Sequence, residues 1–192
     1  MKLEIDKYRI ELIDESNYSS NSTDNLFHYE QQYANEQEYK PTTQIGIKLY
    51  EDETMIANAI IKSTGGASGI HQTSQILSKD CLAICCSESV FELSIPKLSL
   101  NWITKADDAT CFQIFKYKQD YIIHGELNIT RISKNGKILW QNSGADIFTT
   151  EEGEDDFLIQ NEIIEVKDWN NKLYKFNLDG KHLSQKEMKN EL

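Results

Sequence analysis

A strand-rich unit of about forty residues recurs along this chain, and that spacing restricts its possible folds more than any other feature. The clearest copy runs from Tyr121 to Trp140. Tyr121-Ile122-Ile123-His124 reads as a buried strand, Ile129 to Ser133 as a second strand, and Lys137-Ile138-Leu139-Trp140 as a third. Asn135-Gly136 predicts a two-residue type I′ hairpin between the last two, because both residues accept positive φ. Upstream by 39 residues, Leu82-Ala83-Ile84-Cys85-Cys86 and Val90-Phe91-Glu92-Leu93 repeat the first two strands, and Trp102 stands 38 residues before Trp140. Downstream, Ile163 to Val166 and Leu173 to Leu183 repeat the pattern, with extra residues in Asp168-Trp169-Asn170-Asn171. A fainter copy covers Ile45 to Ile61. One such meander cannot cover its own apolar face and must stack on the next. The expected fold is therefore all-β: a propeller-like array of about four short antiparallel meanders, in a closed or an incomplete ring. Trp102 and Trp140 are expected at equivalent, largely buried positions.

Strand, hairpin turn and a strand ending in Trp, as in Asn135-Gly136-Lys137-Ile138-Leu139-Trp140, resembles the repeat of PQQ-type (quinoprotein-like) β-propellers over roughly residues 64–183. The resemblance implies a propeller fold. It carries no catalytic residue, because no acidic metal cluster or cofactor-stacking pattern accompanies it, and no cofactor or metal is expected. The segments Thr64-Gly65-Gly66-Ala67, Gly144-Ala145-Asp146-Ile147-Phe148 and Asp168-Trp169-Asn170 also look like those of a group of small cytosolic bacterial proteins, a likeness that brings no activity with it.

The chain of 192 residues is long enough to bury a core and reads as one domain, 1–192. Its net charge of −11 argues against nucleic acid, which demands clustered Lys and Arg; the only arginines are Arg9 and Arg131. An acidic surface suits a basic protein partner. The charged start, Met1-Lys2-Leu3-Glu4-Ile5-Asp6-Lys7, lacks an apolar targeting segment, and no run reaches membrane-spanning length. The location expected is the cytoplasm. Cys81, Cys85, Cys86 and Cys111 lack C-x-x-C spacing and read as free thiols in strands.

Tyr8 to Ile13 alternates as a strand. Residues 14–40 form a polar insertion before the repeat region, 41–183. Thr23-Asp24-Asn25 reads as a cap for a helix through Glu38, with Leu26, Tyr29, Tyr33 and Tyr39 near helical spacing. The aromatics Phe27, Tyr29, Tyr33 and Tyr39 either anchor the insertion to the domain or form a binding surface. The polar tail, 184–192, is expected to fray or form one helical turn.

Catalytic motifs are lacking. His124 and Glu126 share a strand face, an arrangement that serves a general base or, far more often, a hydrogen-bonded strand end. The loop Glu151-Glu152-Gly153-Glu154-Asp155-Asp156 reads as a solvated turn, and Thr64 to Gly69 as a tight crossing between units. Small and polar residues recur where each unit begins, at Ala67-Ser68, Ala109-Thr110 and Ala145-Asp146. Ser68, His71, Thr110 and Asp146 are thus the candidate lining of a polar axial pocket. Two functions follow. The first is a non-enzymatic protein-interaction module, in its sharper form a toxin-neutralising immunity protein. The second is a small-ligand binder or enzyme using that pocket.

Overall fold

The computed structural model describes residues 1–35, 40–151, 153 and 157–183. All its regular elements are strands, gathered into four sheets. Sheet one holds β1 (Lys2–Ile5), β2 (Tyr8–Asp14), β3 (Gln31–Ala34), β4 (Thr43–Glu51) and β5 (Thr54–Ser63) in the order β1-β2-β4-β5-β3. Sheet two is the meander β6 (Gln75–Leu77), β7 (Cys81–Cys86), β8 (Ser89–Ser94) and β9 (Leu100–Lys105). Sheet three is the meander β10 (Cys111–Tyr117), β11 (Asp120–Gly125), β12 (Asn128–Ile132) and β13 (Ile138–Ser143). Sheet four is β14 (Phe157–Gln160), β15 (Ile163–Lys167) and β16 (Leu173–Asn177), extended at its edge by a bridge between Phe176 and His182. The chain is a propeller-like array of four small sheets.

Stacking explains the two kinds of strand pattern. In β7, Leu82, Ile84 and Cys86 face a core shared with Ile10, Ile47 and Leu49 of sheet one, whereas Ala83 and Cys85 face Ile114, Tyr121 and Ile123 of sheet three. In β11, Ile122 turns the other way, onto Ile164, Val166 and Phe176 of sheet four. A strand buried on both faces needs an unbroken apolar run, and Leu82 to Cys86 is one. The end sheets alternate instead, as Ile163-Ile164-Glu165-Val166-Lys167 does. Among the described residues no apolar cluster joins sheet four to sheet one, and the ring is not closed.

The recurring Trp is a docking device. Trp102 on the outermost strand of sheet two donates its Nε1–H to Lys134 O of sheet three, at 3.1 Å, and Thr104 donates to Gly136 O at 2.6 Å. One repeat later, Trp140 donates to Leu178 O at 3.0 Å and Asn142 to Gly180 O at 2.7 Å. The two indoles are equivalent, as expected, but half-buried rather than largely buried, because each lies on an outermost strand. Their partner glycines explain why the turn differs from the expected type I′. Gly136 N–H donates to Ser133 O, Ser133 N–H donates to Lys137 O, and of Asn135-Gly136 only the glycine has positive φ, 79°. This is a three-residue loop: a type I turn closed by a left-handed glycine. Asn177 to Lys181 repeats it, with Gly180 at φ 83°. The glycine is needed on two counts, since a Cβ on Gly136 would lie 2.6 Å from Trp102 and one on Gly180 would lie 2.6 Å from Trp140.

Tyr8 to Ile13 joins the first unit through antiparallel pairing of β2 with β4, so the faint upstream copy is a full meander. The insertion holds no helix among its described residues. Its residues Gln31–Ala34 are instead β3, paired in parallel with β5. The outer edge of β5 offers unpaired N–H and C=O groups, and adding a strand satisfies more of them than a free-standing helix would. The proposed helix positions Glu38 and Tyr39 lie outside the described residues, as does the tail from 184 onward. The aromatics anchor the insertion: Tyr18 and Tyr29 are buried on Ile60 with Phe27 beside them, and Tyr29 donates to Glu15 at 2.6 Å. All four cysteines are free, and Cys85, Cys86 and Cys111 are buried. Among the described residues there is no helix long and apolar enough to cross a membrane.

Candidate functional site

One end of the array collects the turns that follow β7, β11 and β15 together with the crossings that enter β10 and β14. Buried carboxylates hold this face in shape. Asp107, only 1 % exposed, accepts backbone N–H bonds from Ala109 (2.7 Å) and Thr110 (3.0 Å) on one oxygen, and from Leu127 (3.0 Å) and Asn128 (2.7 Å) on the other. It thereby ties the crossing into sheet three to the β11–β12 turn, and Gly125 lacks a Cβ where Asp107 fills the space. Burial pushes its carboxyl up, against the pull of the four N–H groups. Asp168, equally buried, accepts from the N–H of Asn170 and of Lys172, both at 3.0 Å, and from the Tyr174 hydroxyl at 2.9 Å. Glu88 takes this part in sheet two, accepting from Asn35, Thr64 and Lys105.

Asp168 fixes a turn whose next residue is presented to solvent. Trp169 is 46 % exposed although its N–H donates to Ile147 O at 2.9 Å. Asn170 then donates to the Asp146 carboxylate at 2.8 Å, so turn and crossing are joined side by side. Beside them lies a shallow depression of about 480 Å³, lined by Asp108, Leu127, Asn128, Ser143, Asp146 and Ile147 among others. Leu127 is partly exposed there. Asp108 and Asp146 are exposed at the depression, with Lys105 Nζ 3.6 Å from Asp108; Glu151 is exposed further along the crossing into β14, and the acidic-loop positions 152 and 154–156 lie outside the described residues. The surface is therefore an aromatic on a pinned turn and a leucine beside carboxylates.

The structure distributes the four candidate pocket residues over successive crossings. Ser68 Oγ accepts from Ser87 N–H at 2.7 Å, and its own N–H donates to Thr43 at 3.1 Å. His71 is exposed, with Nδ1 3.2 Å from the Thr73 hydroxyl. Thr110 is buried against Gly66 and bonded to Asp107. Asp146 accepts from Ile147 N–H and from Asn170. Only Asp146 of the four lines the depression. His124 is buried, stacked on Phe157 at 4.5 Å, with its ring nitrogens 3.0 Å from Gln113 Oε1 and 2.7 Å from Phe148 O. That is the hydrogen-bonded strand end. Glu126 contributes backbone bonds, to Thr110 O and from Phe148 N–H. Sequence reasoning noted Trp169 only in the extra residues of the last repeat and in a likeness that carries no activity, and missed it as a site residue.

A second concavity lies on the outer face of sheet one. It is a cleft of about 740 Å³ between β3–β5 and residues 16–20, and its charged lining residues are Lys62, on β5, and Lys40.

No protein-family model matches the sequence, and no curated protein matches it. Among solved structures the chain is similar to the computationally designed Ika8 protein, with a TM-score of 0.51 at 10 % identity, over 77 % of this chain and 46 % of that one. It is also similar to the designed Ika4 protein (TM-score 0.47, 9 % identity, 61 % of this chain and 76 % of that one) and to the Pan2 WD40 domain of Neurospora crassa (0.46, 16 %, 62 % and 37 %). The chain spans about half the length of Ika8. These likenesses concern the fold alone.

Proposed function

We propose that this chain is a non-enzymatic protein-interaction module that docks a basic protein on the loop face of sheets three and four. The observation that carries the reading is Trp169. An indole is costly to leave in water, yet here the backbone on both sides is pinned by Asp168 and Ile147 while the ring stays half out. Rigid aromatics of this kind are the anchors around which interfaces concentrate their binding energy. Asp146, bonded to the neighbouring Asn170, and Asp108 of the adjoining depression supply a field that steers a basic surface onto the anchor. The finer form of the proposal is an immunity-type role in the bacterial cytosol, with a basic toxin as the partner held inactive. The net charge of −11 supports that choice of partner.

Affinity capture of the tagged protein from host lysate at low salt, followed by a repeat with Trp169→Ala, tests the reading. One stoichiometric basic partner is expected, released by salt, with affinity reduced on the order of 30-fold or more in the variant. A partner retained equally by Trp169→Ala and indifferent to salt would place the interface elsewhere.

A further inference from the structure

We infer that the cleft on sheet one is a binding site for a small organic anion, with a carboxylate of the ligand seated on Lys62. The floor is built by strand register: Ala34, Lys62 and Gln44 form one cross-strand row, and Gln32, Ile60 and Gly46 the next. Ile60 is buried by Tyr18 and Tyr29, so the floor is firm. The roof is held by Gln44, which donates to Tyr18 O at 3.0 Å and Ser16 O at 3.3 Å.

Lys62 stands between floor and roof. Its Nζ donates to Ser20 Oγ at 2.6 Å and to Gln32 Oε1 at 2.8 Å, and lies 5.0 Å from the centre of the Tyr18 ring. Both hydrogen-bond partners are neutral. An ammonium has three donors, so one remains. Lys7, Arg9, Lys105, Arg131 and Lys175 each pair with a carboxylate, but among the described residues Lys62 pairs with none. Burial also lowers the pKa of Lys62, with no neighbouring charge to restore it. A half-desolvated cation held by two neutral acceptors lacks only the anion that would complete it. The one remaining Lys62 N–H matches one carboxylate oxygen, and Lys40, which also lines the cleft, adds to the positive field there. The hydroxyl and amide groups of Asn17, Ser19 and Tyr18 suit a ligand that also carries hydroxyl groups.

The test follows the Lys62 side-chain carbon resonances by NMR while sodium gluconate, sodium acetate, sodium phosphate or sodium chloride is added at matched ionic strength. Saturable shifts at Lys62 with gluconate and acetate, and none with chloride, are expected. Lys62→Gln should weaken gluconate binding at least about tenfold. Ser20→Ala, which keeps the ammonium but removes one orienting oxygen, should weaken it less. Affinity should fall with rising pH earlier than for an ordinary lysine, because binding needs the protonated amine and burial lowers its pKa. Shifts identical to those in chloride, or unchanged binding in Lys62→Gln, would overturn the site. Saturation by phosphate alone would overturn the choice of carboxylate.

Discussion

At the residue scale the repeat is a contact between a tryptophan and a glycine in the next sheet. The indole packs against the turn glycine and donates to a carbonyl two residues before it, in both copies. Gly136→Ala should therefore destabilise the fold by about 1–3 kcal/mol, since the methyl must displace Trp102 and the left-handed backbone also disfavours it. Gly180→Ala should behave alike, because Trp140 stands over it in the same way. Urea midpoints would measure both, and an unchanged midpoint for either would show that the indole yields freely. The period of Trp and Gly was readable from the chain, but the loop around it was not. Asn-Gly suits a two-residue turn in isolation, and the need to seat an indole selected the longer one. Asp107 was opaque for a related reason. Beside Asp108 it looks like surface charge, and only folding brings the N–H groups of residues 109–110 and 127–128 around it.

At the scale of elements, the insertion acts as a cover for the first sheet. A stacked array leaves two end faces, and an end face must be polar or capped. Sheet one does both: Arg9, Glu11 and Lys48 occupy part of its outer face, and Tyr18, Phe27 and Tyr29 close over Ile60 and Gly46. The tyrosine ring sits where a side chain at Gly46 would go. Tyr29→Ala should cost about 3–5 kcal/mol, as for other buried aromatic truncations, whereas Tyr29→Phe should cost only about 1 kcal/mol for the lost bond to Glu15. If urea unfolding shows the two variants to be equally mild, the insertion is not a cap. Of this element the anchoring role of the aromatics was legible and the conformation was not. Leu26, Tyr29 and Tyr33 fall near helical spacing, yet Leu26 is fully exposed, and the edge of β5, far off in sequence, supplies the pairing that makes β3 a strand. Lys62 was hidden likewise, since nothing along β5 indicates that residues 16–20 fold over it.

For the whole molecule, the number of sheets and their order followed from spacing alone, because each sheet is local in sequence and stacks on its neighbour. The function was less legible, because Trp169, Asp146 and Leu127 become one surface only when a turn of sheet four meets a crossing and a turn of sheet three. The open array also implies uneven stability. Sheets two and three are each packed on both faces, whereas sheet four has one covered face, three strands and partly exposed Leu158 and Leu173. In a stack held by nearest-neighbour interfaces, an end unit opens by breaking one interface and a middle unit by breaking two. Native-state hydrogen exchange should thus be slowest in β7, β8, β11 and β12, and faster in β15 and β16, with the sheet-four amides opening together in mild denaturant before the rest. The covered end, sheet one, should be better protected than sheet four. Uniform protection across all four sheets would mean that the array unfolds as a single cooperative block, and that the exposed face of sheet four costs it nothing. A sheet four that becomes as slow as sheet two only when a basic partner is bound would show that the free end is completed by docking.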